Sequence, residues 1–525
     1  MSSQELDYLS RRVPAVRLSR REFLGRATAL GVSATFTNSL LVGAAKAQVP
    51  QKGGILKVGL NGGGTTDSLD PAISSTLVAN FGYCWGEYLV ALAPGGGLEN
   101  RIAEEIGSSK DAKTWTMKVR KGIEFHNGKT VTAEDVVATL ERHSDAKSQS
   151  GALGVLKSID TIKAHGDEVV LTLKDANADF PYLMTDYHLI IQPNGGKDDP
   201  AAGISAGPYK VTVNEPGVRH SGERFVNFWQ SDKMGFADQI EIIVINDDMA
   251  RISALQGGQV HIINMVQPKV VDLITRAPNL KVEAVKGPAY YCINMFCDTA
   301  PFNSNDLRMA LKLAMNREEM LDKILRGYGT VGNDFPINDS YPLFPEDIEQ
   351  RIYDPEKAAF HYKKSGHDGP LLLRTSGVAF PGAIDAAQLY QQSCAKAGIT
   401  LEVKREPDDG YFSAVWLKQP FCATYWSGRP TQDQMYSTTY LSTAPWNDTH
   451  FFNEKFDKLL IEARGELDVD KRKNLYREMA IIVRDEGGVI VPMFNHLIYA
   501  SSDKVSGYVG GVDNPYALAK CWLTA

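Results

Sequence analysis

The chain has few cysteines, six in 525 residues: Cys84, Cys292, Cys297, Cys394, Cys422 and Cys521. None of them forms the paired spacing of a zinc site. Cys292 and Cys297 stand an odd distance apart, so along one strand they face opposite sides. Small buried hydrophobes are the favoured reading over a bridge or a metal site. H-E-x-x-H and G-x-S-x-G are also missing, and none of the ten histidines has a partner at metal spacing. The tandem acids Glu104-Glu105 and Asp408-Asp409 read as solvated faces. No catalytic residue, metal or cofactor is therefore assigned, although a nucleophile assembled from distant residues leaves no local motif.

Other absences narrow the class. Net charge is −7 with no basic tract, which argues against nucleic acid as a partner. After the N-terminal region no stretch approaches the roughly 20 apolar residues of a membrane span. There is no internal repeat, heptad or low-complexity tract. At 525 residues the chain is too long for one core, so two or three domains are expected. A hydrophobic share of 43% with 23% charged residues is that of an ordinary globular protein.

The N-terminus carries what the rest lacks. Ser19-Arg20-Arg21-Glu22-Phe23-Leu24 is a twin-arginine export motif, followed by an apolar stretch from Ala27 to Ala45 and the small-x-small site Ala45-Lys46-Ala47. The expectation is a signal peptide over 1–47, cleaved after about Ala47, and a periplasmic location. Residues 1–47 hold seven Lys/Arg and three Asp/Glu, so the remainder carries −7 minus +4, or −11.

The densest information lies in Thr114–Val137, TWTMKVRKGIEFHNGKTVTAEDVV. Trp115, Met117 and Val119 alternate with polar residues, the period of a half-buried strand. Asn127-Gly128 suits a tight turn that needs positive φ. Thr132 stands at an N-cap with Asp135 three residues on, a variant capping box, and Val136, Val137 and Leu140 open the apolar face of a helix. Further along, Ile55–Leu60 reads as a strand, Leu77–Ala91 as a helix, and residues 370–480 alternate strand and helix. That alternation predicts an α/β unit with a mostly parallel sheet.

Five ordered stretches resemble one family. They are Ser68-Leu69-Asp70-Pro71, the Thr114–Val137 segment, Gly207-Pro208-Tyr209, the run Ala254–His261, and Asp306–Glu319. Together the chain is similar to the peptide/opine/nickel class of extracytoplasmic solute-binding proteins, family 5, the receptors of ABC importers. His261 departs from the family's usual acid. The resemblance implies an α/β, two-lobed periplasmic-binding-protein type II architecture with an inserted subdomain and hinge strands. The implied division is 48–97 lobe I, 98–204 inserted subdomain, 205–293 lobe I, 294–494 lobe II and 495–525 a return to lobe I. Crossovers are expected near Tyr290–Asn294 and Met493–Leu497.

Ligand contacts are expected where a strand end meets a helix start, beyond the carboxyl ends of sheet strands. Trp426-Ser427-Gly428-Arg429 through Asp433 is such a place. In the resembling family this loop faces the cleft, with an acid close to where Arg429 stands. Arg offers a donor fork to a carboxylate or phosphate, Trp426 a flat apolar wall or a π face for a cationic group, and Asp433 an acceptor for an ammonium. The alternative is that Arg429 pairs with Asp433 or Asp67 and only clamps the lobes. Thr65, Thr66 and Asp67 from the glycine loop, and Asn294 and Asn495 near the crossovers, complete the candidate set, although hinge or strand roles explain the two asparagines equally well. Trp446-Asn447, after Ala444-Pro445, is a further aromatic candidate, with core packing the favoured reading. The implied function is capture of a peptide or peptide-like solute (di- or oligopeptide, opine) by a monomer that delivers it to permease subunits. Alternatives are a receptor for a metal complex or haem, or an exported enzyme of unknown chemistry.

Overall fold

The computed structural model describes residues 49–145 and 147–524. The twin-arginine segment 1–47 lies outside them. Two large sheets organise the rest. One has seven strands, in the order Leu280–Val285, Leu497–Ser502, Ile262–Ile263, Ile55–Leu60, Gln239–Val244, Arg219–Arg224 and Tyr209–Glu215. The other has six, in the order Gly329–Val331, Val489–Asn495, Tyr290–Met295, Phe421–Trp426, Leu371–Thr375 and Leu401–Arg405. The chain passes between them twice, from Val285 to Tyr290 and from Asn495 to Leu497. Each sheet has its own buried core, so the architecture is the two-lobed α/β one.

The six-stranded sheet is buried on both faces. Tyr291, Ile293 and Met295 join a core with the helices Asn305–Leu313 and Ala383–Lys396. The alternate residues Tyr290 and Cys292 join another, with Gln432–Thr439, Glu454–Gly465 and Val469–Glu486. The mostly parallel sheet expected here is not found. Leu371–Thr375 pairs in parallel with Leu401–Arg405 and with Phe421–Trp426, but the other three pairings are antiparallel. The two strands that enter from and return to the other sheet run in opposite directions side by side, which reverses the sheet there.

A four-stranded antiparallel sheet carries the Thr114–Val137 segment. Trp115, Met117 and Val119 are buried in alternation with half-buried neighbours along Thr114–Val119. Gly128 adopts φ 83°, and Phe125 N–H donates to Lys129 O at 2.8 Å to close the turn. Thr132 caps Ala133–Ser144 with a complete capping box to Asp135. The helix expected over Leu77–Ala91 ends at Trp85. Gly86 turns extended there, where a Cβ would meet Gly82 O at 2.6 Å. Val90–Ala93 then forms a strand.

Candidate ligand-binding site

Phe421–Trp426 and Leu371–Thr375 share one pairing, Arg374 with Cys422. Beyond it, that edge of Phe421–Trp426 has no strand partner among the described residues. A cavity of about 230 Å³ opens beside the strand's end, lined by Thr424, Tyr425, Trp426, Ser427 and Arg429 together with Phe412, Trp416 and Trp446. The indoles of Trp416, Trp426 and Trp446 stand 6.0–6.1 Å apart in every pairing, tilted by 53–69°. Behind them the buried Asp448 Oδ2 accepts from Nε1 of Trp416 at 2.9 Å and of Trp426 at 3.1 Å. Those bonds fix two indole rings through one carboxylate. Burial lifts the Asp448 carboxyl to about 6, against the two indole bonds that favour its charged form.

Arg429 borders this cavity. Its guanidinium lies 5.6 Å from the Trp426 ring centre, a cation–π distance. Nη1 donates to Gly428 O at 2.7 Å, and the backbone N–H donates to Tyr341 Oη at 3.1 Å. No carboxylate reaches its guanidinium among the described residues, so it pairs with neither Asp433 nor Asp67. Gly428 makes the loop possible. It holds φ 80°, and a Cβ would lie 2.5 Å from Pro288 in the first crossing segment. Only glycine fits both demands.

At the other end of the loop the chemistry is spent internally. Asp433 is 5% exposed and accepts from Arg464 Nε at 2.9 Å. Burial raises its carboxyl while Arg464 opposes the rise. Arg472 Nη1 donates to Asp179 Oδ1 at 2.9 Å, and Ala178 N–H donates to Arg464 O at 2.7 Å. This network ties the segment after the four-stranded sheet to the helices behind the six-stranded one. In this arrangement the Asp433 side chain is therefore enclosed and turned to Arg464, away from both cavities.

Two other acid and amide candidates are also turned inward. Asp67 Oδ2 accepts from Gly64 N–H at 3.0 Å and Oδ1 from Ser75 Oγ at 2.8 Å, so it closes its own loop. Asn294 is 1% exposed, and its amide lies beside Asp448 in the core without a well-formed hydrogen bond. The expectation of ligand contact from their side chains does not fit these positions, because both are enclosed by protein. Thr65 and Thr66 are exposed and border neither cavity.

A larger cavity of about 610 Å³ is shared by both lobes. Asn61, Met265 and Gln267 line it from one side, Lys323, Arg326 and Asp385 from the other, and Asn495 and His496 at the second crossing. Its size is within the usual range for small-molecule sites, about 300–1,000 Å³. The buried Oδ1 of Asn495 has no partner there. Tyr291 lines this cavity, and its antiparallel partner Tyr425 lines the aromatic one. Opposed residues on one sheet face are neighbours, so this pair of tyrosines links the two cavities.

The structure thus gathers Trp426, Ser427 and Arg429 in one pocket and puts Asn495 in the adjoining one. Sequence reasoning missed Phe412, Trp416, Tyr425 and Asp448, and favoured core packing over ligand contact for Trp446, which is 45% exposed and lines the pocket. One signal was present: three of the seven tryptophans fall between residues 416 and 446.

This architecture, a receptor-like pair of lobes around a cleft, matches known proteins. Residues 97–448 fit the model of bacterial extracellular solute-binding proteins, family 5. The glutathione-binding protein GsiB of Escherichia coli O6:K15:H31 is 25% identical over 434 residues, covering 78% of this chain and 83% of GsiB. The ABC transporter substrate-binding protein CtaP of Listeria monocytogenes superposes with a TM-score of 0.80 at 22% identity, covering 90% of this chain and all of CtaP. DppA of Helicobacter pylori, solved with the peptide STSA, gives 0.72 at 21% identity over 90% and 99% of the two chains. The chain belongs to the family 5 bacterial extracellular solute-binding proteins. It is a substrate-binding protein of ABC importers and not an enzyme.

Proposed function

We propose that the protein captures a peptide or peptide-like solute carrying a carboxylate and delivers it to membrane permease subunits. The observation that carries this reading is the Arg429 guanidinium, without a carboxylate partner among the described residues, at the end of a strand that has no strand partner on one side beyond Cys422, where only Tyr411 Oη donates to Ala423 O at 2.8 Å. An open edge hydrogen-bonds an extended main chain, and a free guanidinium takes a carboxylate by two parallel bonds. That GsiB is a glutathione-binding protein and DppA was solved with a peptide supports the same class of solute. Trp426, Ser427 and Arg429 make the contacts, Asn495 contributes from the adjoining cavity, and Thr65 and Thr66 close from the opposite lobe. The lobes divide at the two crossings, with 98–204 as an insertion. Closure about those crossings is driven by contacts made from both sides at once. Export follows the twin-arginine route to the periplasm, where the receptor works as a monomer.

Calorimetry with a di- to pentapeptide series, paired with solution scattering, tests the reading. Saturable binding with a decrease in radius of gyration is expected. No binding and no compaction across the series would end the peptide assignment.

A further inference from the structure

We infer that the tryptophan pocket is a subsite for a planar aromatic ring whose attached carboxylate is held by Arg429. The solute is then an aromatic acid, or a peptide-like molecule ending in an aromatic residue with a free carboxylate. This rests on the reading that the Trp426–Arg429 loop faces the solute.

Three observations lead there. The first is size: an apolar cavity of about 150 Å³ accommodates benzene, and this one measures about 230 Å³. One ring with a short tether fills it, and a fused macrocycle does not. The second is rigidity. Asp448 holds two of the three indoles by their Nε1–H groups, so the wall is formed before any ligand arrives. Pre-formed walls select by shape because little ordering remains to be done on binding. Trp446 supplies the third face and lies 45% exposed, as does Tyr425, while Phe412 is 38% exposed. Aromatic surface of this kind, gathered at one cavity, is left for an aromatic partner in offset or edge-to-face contact.

The third observation is charge. Three indoles in a cage also suit a cation. Here the cation is already supplied by the protein, because the Arg429 guanidinium lies against Trp426. A second positive group would meet it at short range. An anion completes the site, since the guanidinium retains donors not used by Gly428 O. Ring and carboxylate therefore belong to one ligand.

The test uses small probes on the full-length protein: 3-phenylpropionate, 3-phenylpropionamide, 3-phenylpropan-1-amine and butyrate. Binding is read by NMR from the indole Nε1–H signals, assigned with single Trp→Phe variants. The expected result is saturable shifts of the Trp416, Trp426 and Trp446 signals by 3-phenylpropionate. Its affinity should exceed that of the amide and of butyrate by about tenfold, the value of one charge-assisted contact. Arg429→Gln should erase the preference for acid over amide. Trp446→Ala, at an exposed position, should weaken 3-phenylpropionate about tenfold and leave butyrate unchanged. Equal or tighter binding of the amine overturns the inference, as do shifts confined to other tryptophans or no shift at all. Peptide-driven compaction in scattering is a separate readout, so the aromatic subsite can fail while the peptide reading stands, and the reverse.

Discussion

The loop from Trp426 to Asp433 bears two opposite charges, at Arg429 and Asp433, and the two have opposite environments. Arg429 borders an open pocket with only its neighbour's carbonyl and a tryptophan face for company. Asp433, four residues on, is buried and bonded to Arg464. Both look equally suited to a ligand when read as residue types. The difference lies in what each end is for. The strand end presents groups to the cleft, while the helix start is anchored by a network that includes Asp179, Arg464 and Arg472. A polar residue faces a ligand when the fold leaves its partner missing, and of these two charges Arg429 meets that condition while Asp433 does not.

Breaking the anchored end should have the largest effect. Arg464→Ala leaves Asp433 buried without its guanidinium, a change that costs about 3–5 kcal/mol in comparable sites. Chemical denaturation should show that loss, and it should shrink on acidification, because the stranded carboxyl can then take up a proton. A loss below about 1 kcal/mol would mean that the anchor is not structural.

Gly428→Ala probes the turn between the two ends. Positive φ together with a 2.5 Å approach to Pro288 should cost on the order of 2–3 kcal/mol, read as a lower melting temperature. Arg429→Ala should do the converse of Arg464→Ala. Stability stays within about 0.5 kcal/mol, as for surface changes without a paired partner, while affinity for a carboxylate-bearing solute falls about 10- to 100-fold. Unchanged affinity would remove Arg429 from the site.

Acid dependence sharpens the comparison at a smaller scale. Desolvation raises Asp448 in the folded state to about 6, above its ordinary 3.8. A carboxyl raised on folding stabilises the fold fully below about pH 4, and that contribution is lost as pH rises through about 6. Asp448→Asn, neutral throughout, should therefore be more stable than the natural protein at pH 7, with the gap closing toward pH 4. A gap independent of pH would show that Asp448 is not the titrating group. The smallest effect is expected at Thr65→Ala, where an exposed side chain should change stability by less than about 0.5 kcal/mol.

The fold was largely legible, and the reason is local. Thr114–Val119 alternates because one face is buried, and Thr132 with Asp135 writes a helix start within four residues. Leu371–Thr375 and Val489–Asn495 could be read from their apolar runs, and Leu401–Arg405 from its alternation of Leu401 and Val403 with charged residues. Strand direction was not legible, since it depends on where the chain crosses between sheets. The site was only half legible. Trp426 and Arg429 stand at a strand end that sequence can mark, but Asp433 could be recognised as anchored only once Arg464, 31 residues away, was placed beside it. The tryptophan pocket escaped for the same reason: Trp416, Trp426 and Trp446 lie on separate segments, and the carboxylate of Asp448 that joins the first two is brought to them only in three dimensions.

The most direct measurement is mass spectrometry of the solute released from protein isolated from its own periplasm. The expected result is a small molecule bearing a free carboxylate, retained by the natural protein and depleted in Arg429→Ala. Recovery of a cationic solute without an acid group, or of a haem or metal complex retained equally by both proteins, would contradict it.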